Sequence, residues 1–142
     1  MVRRSIPEPM INLMRVGDLR DAEKYPVHQI FCNDMVDAED VIINVFMNLP
    51  LSLFTSSRTR NTRGFIGGGQ RVRAIRMFMA DELKINGPSK FAEYLPVGRK
   101  YSELSDEDRK RFDQTKIILY SYIGLTKRQE ALVNFNYNKY RR

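Results

Sequence analysis

The fold of this chain is decided by one stretch, Gly64-Phe65-Ile66-Gly67-Gly68-Gly69-Gln70-Arg71-Val72-Arg73-Ala74-Ile75-Arg76. A short apolar run enters three glycines, and a helical pattern rich in arginine leaves them. Glycines adopt backbone conformations that other residues avoid and allow close approach of another molecule. A helix that opens directly after them directs unpaired N–H groups and its positive dipole end outward. The stretch predicts a strand, a tight turn and a helix, either as a phosphate-binding loop or as a turn that binds nothing.

The arginines around this turn form the most basic stretch of the chain. Between Arg58 and Arg76 there are six arginines and no acidic residue. Guanidinium groups bind phosphate in a forked, bidentate geometry. A solvated run of charges usually mixes both signs, so this one favours phosphate contacts. The predicted nucleic-acid-binding residues are Arg58, Arg60, Arg63, Arg71, Arg73 and Arg76.

Bulk composition indicates a single globular domain with a polyanionic partner. The chain has 142 residues, of which 42% are hydrophobic and 11% aromatic, enough for an independent core. Its formal charge of +7 favours a nucleic-acid partner, although charge alone also fits a merely soluble basic protein.

The scarcity of cysteine and histidine argues against a disulfide framework and a metal site. The single cysteine, Cys32, excludes an internal disulfide framework, and with the single histidine, His28, it makes a zinc site improbable, so we predict no metal site. No apolar run approaches the roughly 20 residues of a membrane span, and the N-terminus lacks a secretory pattern. We therefore expect no membrane partner and a cytoplasmic, intracellular location.

Periodicity and capping signals divide the chain into elements. We expect a basic arm over residues 1–9 and one domain over residues 10–142. Helical spacing follows Asp34 and ends at Pro50, and residues 51–55 and 64–66 read as the two strands of a hairpin with a basic loop. Later signals are a helix capped by Ser105, a strand over 116–123, and a helix opened by Thr126 that turns Leu132 toward the core.

These elements resemble the ParB/sulfiredoxin-like fold and, within it, the DUF262 family of defence and mobile-element proteins. Members carry an Asp-Gly-Gln-Gln-Arg box between a strand and a helix, and the corresponding residues here are Gly67, Gly68, Gly69, Gln70 and Arg71. A helix that ends in a Leu-Pro step before the hairpin, here Leu49-Pro50, is also similar. The resemblance covers most of the chain and implies an α+β single domain, a small mixed sheet with surrounding helices.

The resemblance also implies a chemistry for the box. ParB proteins place a Gly-Glu-Arg-Arg box and an Arg-Ala step around a nucleotide triphosphate, and Gly68, Arg71, Arg73 and Ala74 match that arrangement. The implied phosphate- or nucleotide-binding residues are Gly67, Gly68, Gly69, Gln70, Arg71 and Arg73. The candidate cofactor would be a nucleoside triphosphate with magnesium, but no cofactor is implied firmly.

The box departs from its relatives at the reactive positions. Gly67 stands where DUF262 proteins have aspartate, and Gly69 where ParB has glutamate and sulfiredoxin its nucleophilic cysteine. A glycine neither holds a metal nor positions water. We therefore assign no catalytic residue and expect binding rather than turnover.

The expected function is that of a small ParB-like nucleic-acid- or nucleotide-binding protein, with DNA favoured as the nucleic acid. Family context suggests a phage, mobile-element or defence accessory with a degenerate catalytic box. One alternative is an active ParB-like enzyme that hydrolyses nucleoside triphosphates or cleaves DNA. The other is a protein-interaction module that inhibits a host factor.

Overall fold

The computed structural model describes residues 5–27, 37–49, 51, 53–60, 62–85 and 92–140, the last six as backbone only. Within these ranges the chain forms a small α+β domain with four α-helices and a mixed four-stranded sheet. This confirms the expected α+β class and the expected small mixed sheet with helices around it. The strands are β1 (Met10–Arg15), β2 (Phe54–Arg58), β3 (Arg63–Gly67) and β4 (Lys116–Ile123). The helices are α1 (Ala38–Phe46), α2 (Gly69–Met79), α3 (Asp106–Asp113) and α4 (Lys127–Tyr140).

The strand order is β1-β4-β2-β3. β2 runs parallel to β4, and the other two pairs, β1 with β4 and β2 with β3, are antiparallel. This arrangement gives the sheet two distinct ends. The turn end holds Arg15, Phe54, Gly67 and Lys116. The hairpin end holds Met10, Arg58, Arg63 and Ile123.

The main core lies on one face of the sheet, against α1, α2 and a 3-10 helix over Val16–Arg20. Phe46, Phe78 and Phe112 are fully buried, and their ring centroids lie 5.1 to 6.1 Å apart. Burial of such side chains contributes about 2 to 3 kcal/mol each. On the opposite face α4 packs against β3.

Local signals predicted several boundaries correctly. The strand expected over residues 116–123 is β4 with the same bounds. Ser105 caps α3 by accepting a hydrogen bond from the Asp108 N–H at 3.1 Å. Thr126 and Gln129 exchange side-chain-to-backbone hydrogen bonds of 2.9 and 3.1 Å before α4. The capping hydrogen bonds join residues three positions apart in the chain, so they depend little on the packing of distant elements.

Two element boundaries and the burial of one side chain differ from the prediction. β2 begins at Phe54, not at residue 51, and extends through residues expected in the loop, because pairing with β4 sets its limits. α1 begins at Ala38 and is capped by Asp37, whose side chain accepts a hydrogen bond from the Glu39 N–H at 3.0 Å, so the helix starts later than the sequence predicted. Leu132 is 46% exposed, so α4 does not turn it toward the core.

Some expectations fall on residues outside the described ranges. They concern the tip of the basic arm at residues 1–4, together with His28, Cys32 and Asp34. Residues 5–9 carry no regular secondary structure. Across the part of the chain that the structure describes, none of the helices has the length and apolarity needed to cross a bilayer.

Candidate nucleic-acid interface

The triple glycine forms the predicted strand-to-helix turn. Gly67 is the last residue of β3 and pairs with Thr55, and α2 begins at Gly69. Gly68 has a φ of +83°, a left-handed conformation that favours glycine. A Cβ on Gly68 would lie 2.7 Å from the Phe54 ring and 2.8 Å from the Arg71 guanidinium, so close packing also requires glycine here.

This glycine turn lies inside the protein. Gly67, Gly68 and Gly69 are all buried. A phosphate therefore reaches their backbone N–H groups only if neighbouring protein atoms move aside. The turn has the backbone shape of a phosphate-binding loop and lacks an open approach in this conformation.

Arg71, the arginine of the predicted box, is buried with 6% of its surface exposed. Its Nη2 donates a hydrogen bond to the Leu53 carbonyl at 3.0 Å. Its guanidinium lies over the Phe54 ring, 4.1 Å from the ring centroid, in a cation–π contact. These contacts attach the start of α2 to the segment that enters β2, so the side chain has a structural role.

Arg76 makes similar internal contacts one and a half turns further along α2. Its Nε donates to the Leu19 carbonyl at 2.6 Å, and its Nη2 donates to the Tyr25 carbonyl. Burial lowers the pKa of Arg76, and the nearby Asp21 carboxylate opposes that shift. The side chain thereby holds the segment before Val27 against α2. Arg73, between the two, is half-buried.

The remaining predicted arginines lie at the hairpin end of the sheet. Arg58, Arg60 and Arg63 are all exposed. Thr59 and Thr62 close the hairpin loop, with a backbone hydrogen bond of 2.7 Å and a contact of 2.9 Å between their hydroxyls. The structure therefore does not bring the six arginines together on one surface. Arg71 is buried beside the glycine turn, and Arg76 bonds to carbonyls of the segment that leads to Val27. Arg58, Arg60 and Arg63 are exposed at the hairpin end.

Arg58 and Arg63 are directly opposite each other in the antiparallel ladder. Side chains at such positions point to the same face of the sheet, and like charges there repel. The Arg63 guanidinium donates a hydrogen bond to the Glu23 carbonyl at 2.9 Å, which does not neutralise its charge. An anion bound between the two guanidinium groups would remove this repulsion.

Beside the arginine pair, the sheet face opens into a cleft of about 470 Å³. Asn12, Ser121 and Ser56 form its floor on three successive strands, β1, β4 and β2. The Asn12 amide donates to the Ser121 hydroxyl at 3.3 Å, and the Ser56 hydroxyl donates to Ser121 at 3.4 Å. This floor presents both donors and acceptors to the cleft.

The walls and rim of the cleft differ in character from its floor. Tyr25 and Phe65 contribute aromatic rings, and the Pro26 carbonyl accepts a hydrogen bond from the Phe65 N–H at 2.8 Å, which attaches this wall to β3. The charged residues among the described lining are three cations, Lys24, Arg58 and Arg63, with no carboxylate. The cleft is therefore electropositive.

Sequence reasoning missed the cleft because its floor residues are far apart in the chain. Small polar residues on strands otherwise rich in apolar ones were a signal, but only the strand order places them side by side. Within the described ranges, no group of three or more His, Cys, Asp or Glu side chains is placed to hold a metal ion.

No protein-family model, no curated protein and no solved structure matches this chain.

Proposed function

We propose that this chain is a small ParB-like protein that binds nucleic acid through the exposed cations at the hairpin end of its sheet. The order of strand, glycine turn and arginine-bearing helix supports the ParB-like assignment. The overall charge of +7 supports a polyanionic partner. In this proposal the glycine turn and Arg71 stabilise the fold, and the hairpin contacts phosphates.

The observation that carries the proposal is the cross-strand pair Arg58–Arg63. Two exposed guanidinium groups on directly opposed positions destabilise a free hairpin, and binding of phosphate between them would offset that cost. Arg60 extends the same positive surface from the loop. Such contacts give affinity with little sequence readout.

The environment of the turn end weighs against phosphate binding there. Arg71 already has an acceptor in the Leu53 carbonyl and a π face in Phe54. Releasing it would leave a part-buried carbonyl without its charged donor, at a cost of about 2 kcal/mol. Arg58, Arg60 and Arg63 are exposed, and the one carbonyl contact described among them, from Arg63 to Glu23, is itself exposed, so meeting a phosphate leaves no buried group unpaired.

The test compares two triple-alanine variants that lower the net charge equally. The hairpin variant replaces Arg58, Arg60 and Arg63. The matched variant replaces three exposed cations elsewhere, Arg99, Lys110 and Lys116. Affinity for a DNA duplex at 0.1 M salt should fall about 500-fold in the hairpin variant and less than about 3-fold in the matched variant.

Equal losses in the two variants would contradict the proposal, because they would show that net charge alone determines affinity. Absence of nucleic-acid binding by the unaltered protein at low salt would also contradict it and would favour a protein partner.

A further inference from the structure

The cleft beside the hairpin has the chemistry of a nucleotide site. Its volume of about 470 Å³ falls within the about 300 to 1,000 Å³ typical of small-molecule sites. Its lining combines apolar and aromatic side chains with a few polar groups on the floor. We infer that the cleft receives one unpaired nucleotide, with the base inside and its phosphate on the arginine pair at the rim. This inference rests on the proposed function and deepens it.

The floor supplies the groups that a base edge requires. Every nucleobase carries donors and acceptors on its Watson–Crick edge. The Asn12 amide offers both, and the hydroxyls of Ser56 and Ser121 rotate to serve as either. The hydrogen bonds that now join these side chains across three strands are long, 3.3 and 3.4 Å, and are exchangeable for bonds to a ligand.

The wall supplies a stacking surface. Tyr25 is half-buried beside the cleft, and the Lys24 ammonium lies 5.5 Å from its ring centroid. Aromatic side chains bind bases of single strands by stacking, with little dependence on sequence. Two hydrogen bonds hold the backbone that carries this ring: Arg76 donates to the Tyr25 carbonyl, and the Phe65 N–H donates to the neighbouring Pro26 carbonyl.

Only an unpaired nucleotide can occupy the rim and the floor of the cleft together, which distinguishes it from other phosphate ligands. Arg58 and Arg63 lie at the mouth of the cleft, where the phosphate of an inserted base would lie. Bases in a duplex are paired and stacked, so a duplex reaches the rim with its phosphates but cannot fill the cleft. Inorganic phosphate reaches the rim and leaves the floor unoccupied.

The chain contains no tryptophan, so a single substitution creates a specific fluorescent reporter. Tyr25→Trp places the reporter on the wall of the cleft. Tyr120→Trp is the matched control, because Tyr120 lies on the other face of the same strand that carries Ser121. We expect a thymidine oligonucleotide to quench the Tyr25→Trp emission, whereas a duplex of equal length, inorganic phosphate and the Tyr120→Trp control give no quenching.

A nucleoside triphosphate, assayed in parallel, shows whether the cleft binds a free nucleotide or only a nucleotide that is part of a strand. Quenching by both the triphosphate and the oligonucleotide means that a base with its phosphate suffices. Quenching by the oligonucleotide alone means that the site requires a strand. Either result supports the inference.

Filling the cleft should remove the preference for single strands. Ser121→Leu should lower the affinity for the oligonucleotide about 10-fold and the affinity for the duplex less than 2-fold. Asn12→Leu, on the exposed edge strand β1, makes the same test at a position that the fold tolerates more easily. Thermal melting of each variant checks that the domain remains folded.

The outcomes separate the inference from the proposed function. If both cleft variants bind single strand and duplex as the unaltered protein does, while the hairpin variant loses both, the inference fails and the proposed function stands. If the unaltered protein binds neither at low salt, both fail.

Discussion

The two ends of the sheet hold arginines of the same predicted site in opposite environments. At the turn end, Arg71 is buried, bonded to a carbonyl and stacked on Phe54. At the hairpin end, Arg58 and Arg63 are exposed and face each other across a ladder position. The difference shows that arginines from one basic stretch of sequence lie in two environments, and that burial distinguishes them.

The physical reason lies in what surrounds each guanidinium. A buried guanidinium must satisfy its donors within the protein, and once it does so it contributes to stability. The exposed guanidinium groups of Arg58 and Arg63 reach solvent, and Arg63 has further donors besides the one bound to the Glu23 carbonyl, so exchanging water for phosphate costs little. We therefore expect substitutions at the turn end to change stability and substitutions at the hairpin end to change affinity.

The largest expected effect is at Gly68. Gly68→Ala introduces a Cβ at a φ of +83° and 2.7 Å from the Phe54 ring, so it should lower the free energy of unfolding by about 3 kcal/mol. Gly98 has a similar φ of +81°, but a Cβ added there would meet no atom within 4 Å, so Gly98→Ala should cost about 1 kcal/mol. Chemical denaturation measures both. Equal costs would mean that Gly68 is not closely packed.

The next effect separates the two arginine classes directly. Arg71→Ala removes the bond to the Leu53 carbonyl and the stack on Phe54, so the free energy of unfolding should fall by about 2 kcal/mol. The affinity of the folded fraction for DNA should change less than about 2-fold. Large loss of affinity without loss of stability would instead support phosphate binding at the turn.

At the other end, Arg58→Ala should give the reverse pattern. The side chain is exposed, so stability should change by less than about 0.5 kcal/mol. Loss of one phosphate contact should lower DNA affinity about 8-fold at 0.1 M salt. Denaturation and a binding titration on the same preparation measure the two quantities. An unchanged DNA affinity would show that Arg58 does not contact the nucleic acid.

The smallest expected effect is in enzyme activity, for which we expect no turnover. Gly67 and Gly69 have no side chain that could hold a metal or position water, so no hydrolysis of nucleoside triphosphates or cleavage of plasmid DNA is expected, with magnesium or without. Product analysis against a buffer blank measures this. Turnover that Arg71→Ala abolishes would contradict the binding assignment and favour the enzyme alternative.

The elements were predictable from the sequence where local chemistry decides them. The capping residues Ser105 and Thr126 are set by interactions between near neighbours, and the isoleucine- and tyrosine-rich composition of residues 116–123 marks β4. The start of β2 was not predictable in this way, because its pairing with β4 joins residues more than 60 positions apart.

The sequence showed which residue types the candidate site contains, but it did not show where the fold places them. Arginine content around the glycine turn indicated phosphate contacts, but nothing in the residue type distinguishes Arg71 from Arg58. That distinction depends on Phe54, which the fold places beneath the turn. The floor of the cleft, Asn12, Ser56 and Ser121, exists only because the strand order is β1-β4-β2-β3.

The salt dependence of DNA binding tests the division between the two ends most directly. The slope of log affinity against log salt changes by about 0.9 for each duplex phosphate that a protein cation neutralises. The hairpin variant should therefore have a slope shallower than that of the unaltered protein by about 2.7, and Arg71→Ala and the matched variant should keep the original slope. A hairpin variant with an unchanged slope, or a slope reduced by Arg71→Ala, would contradict the account.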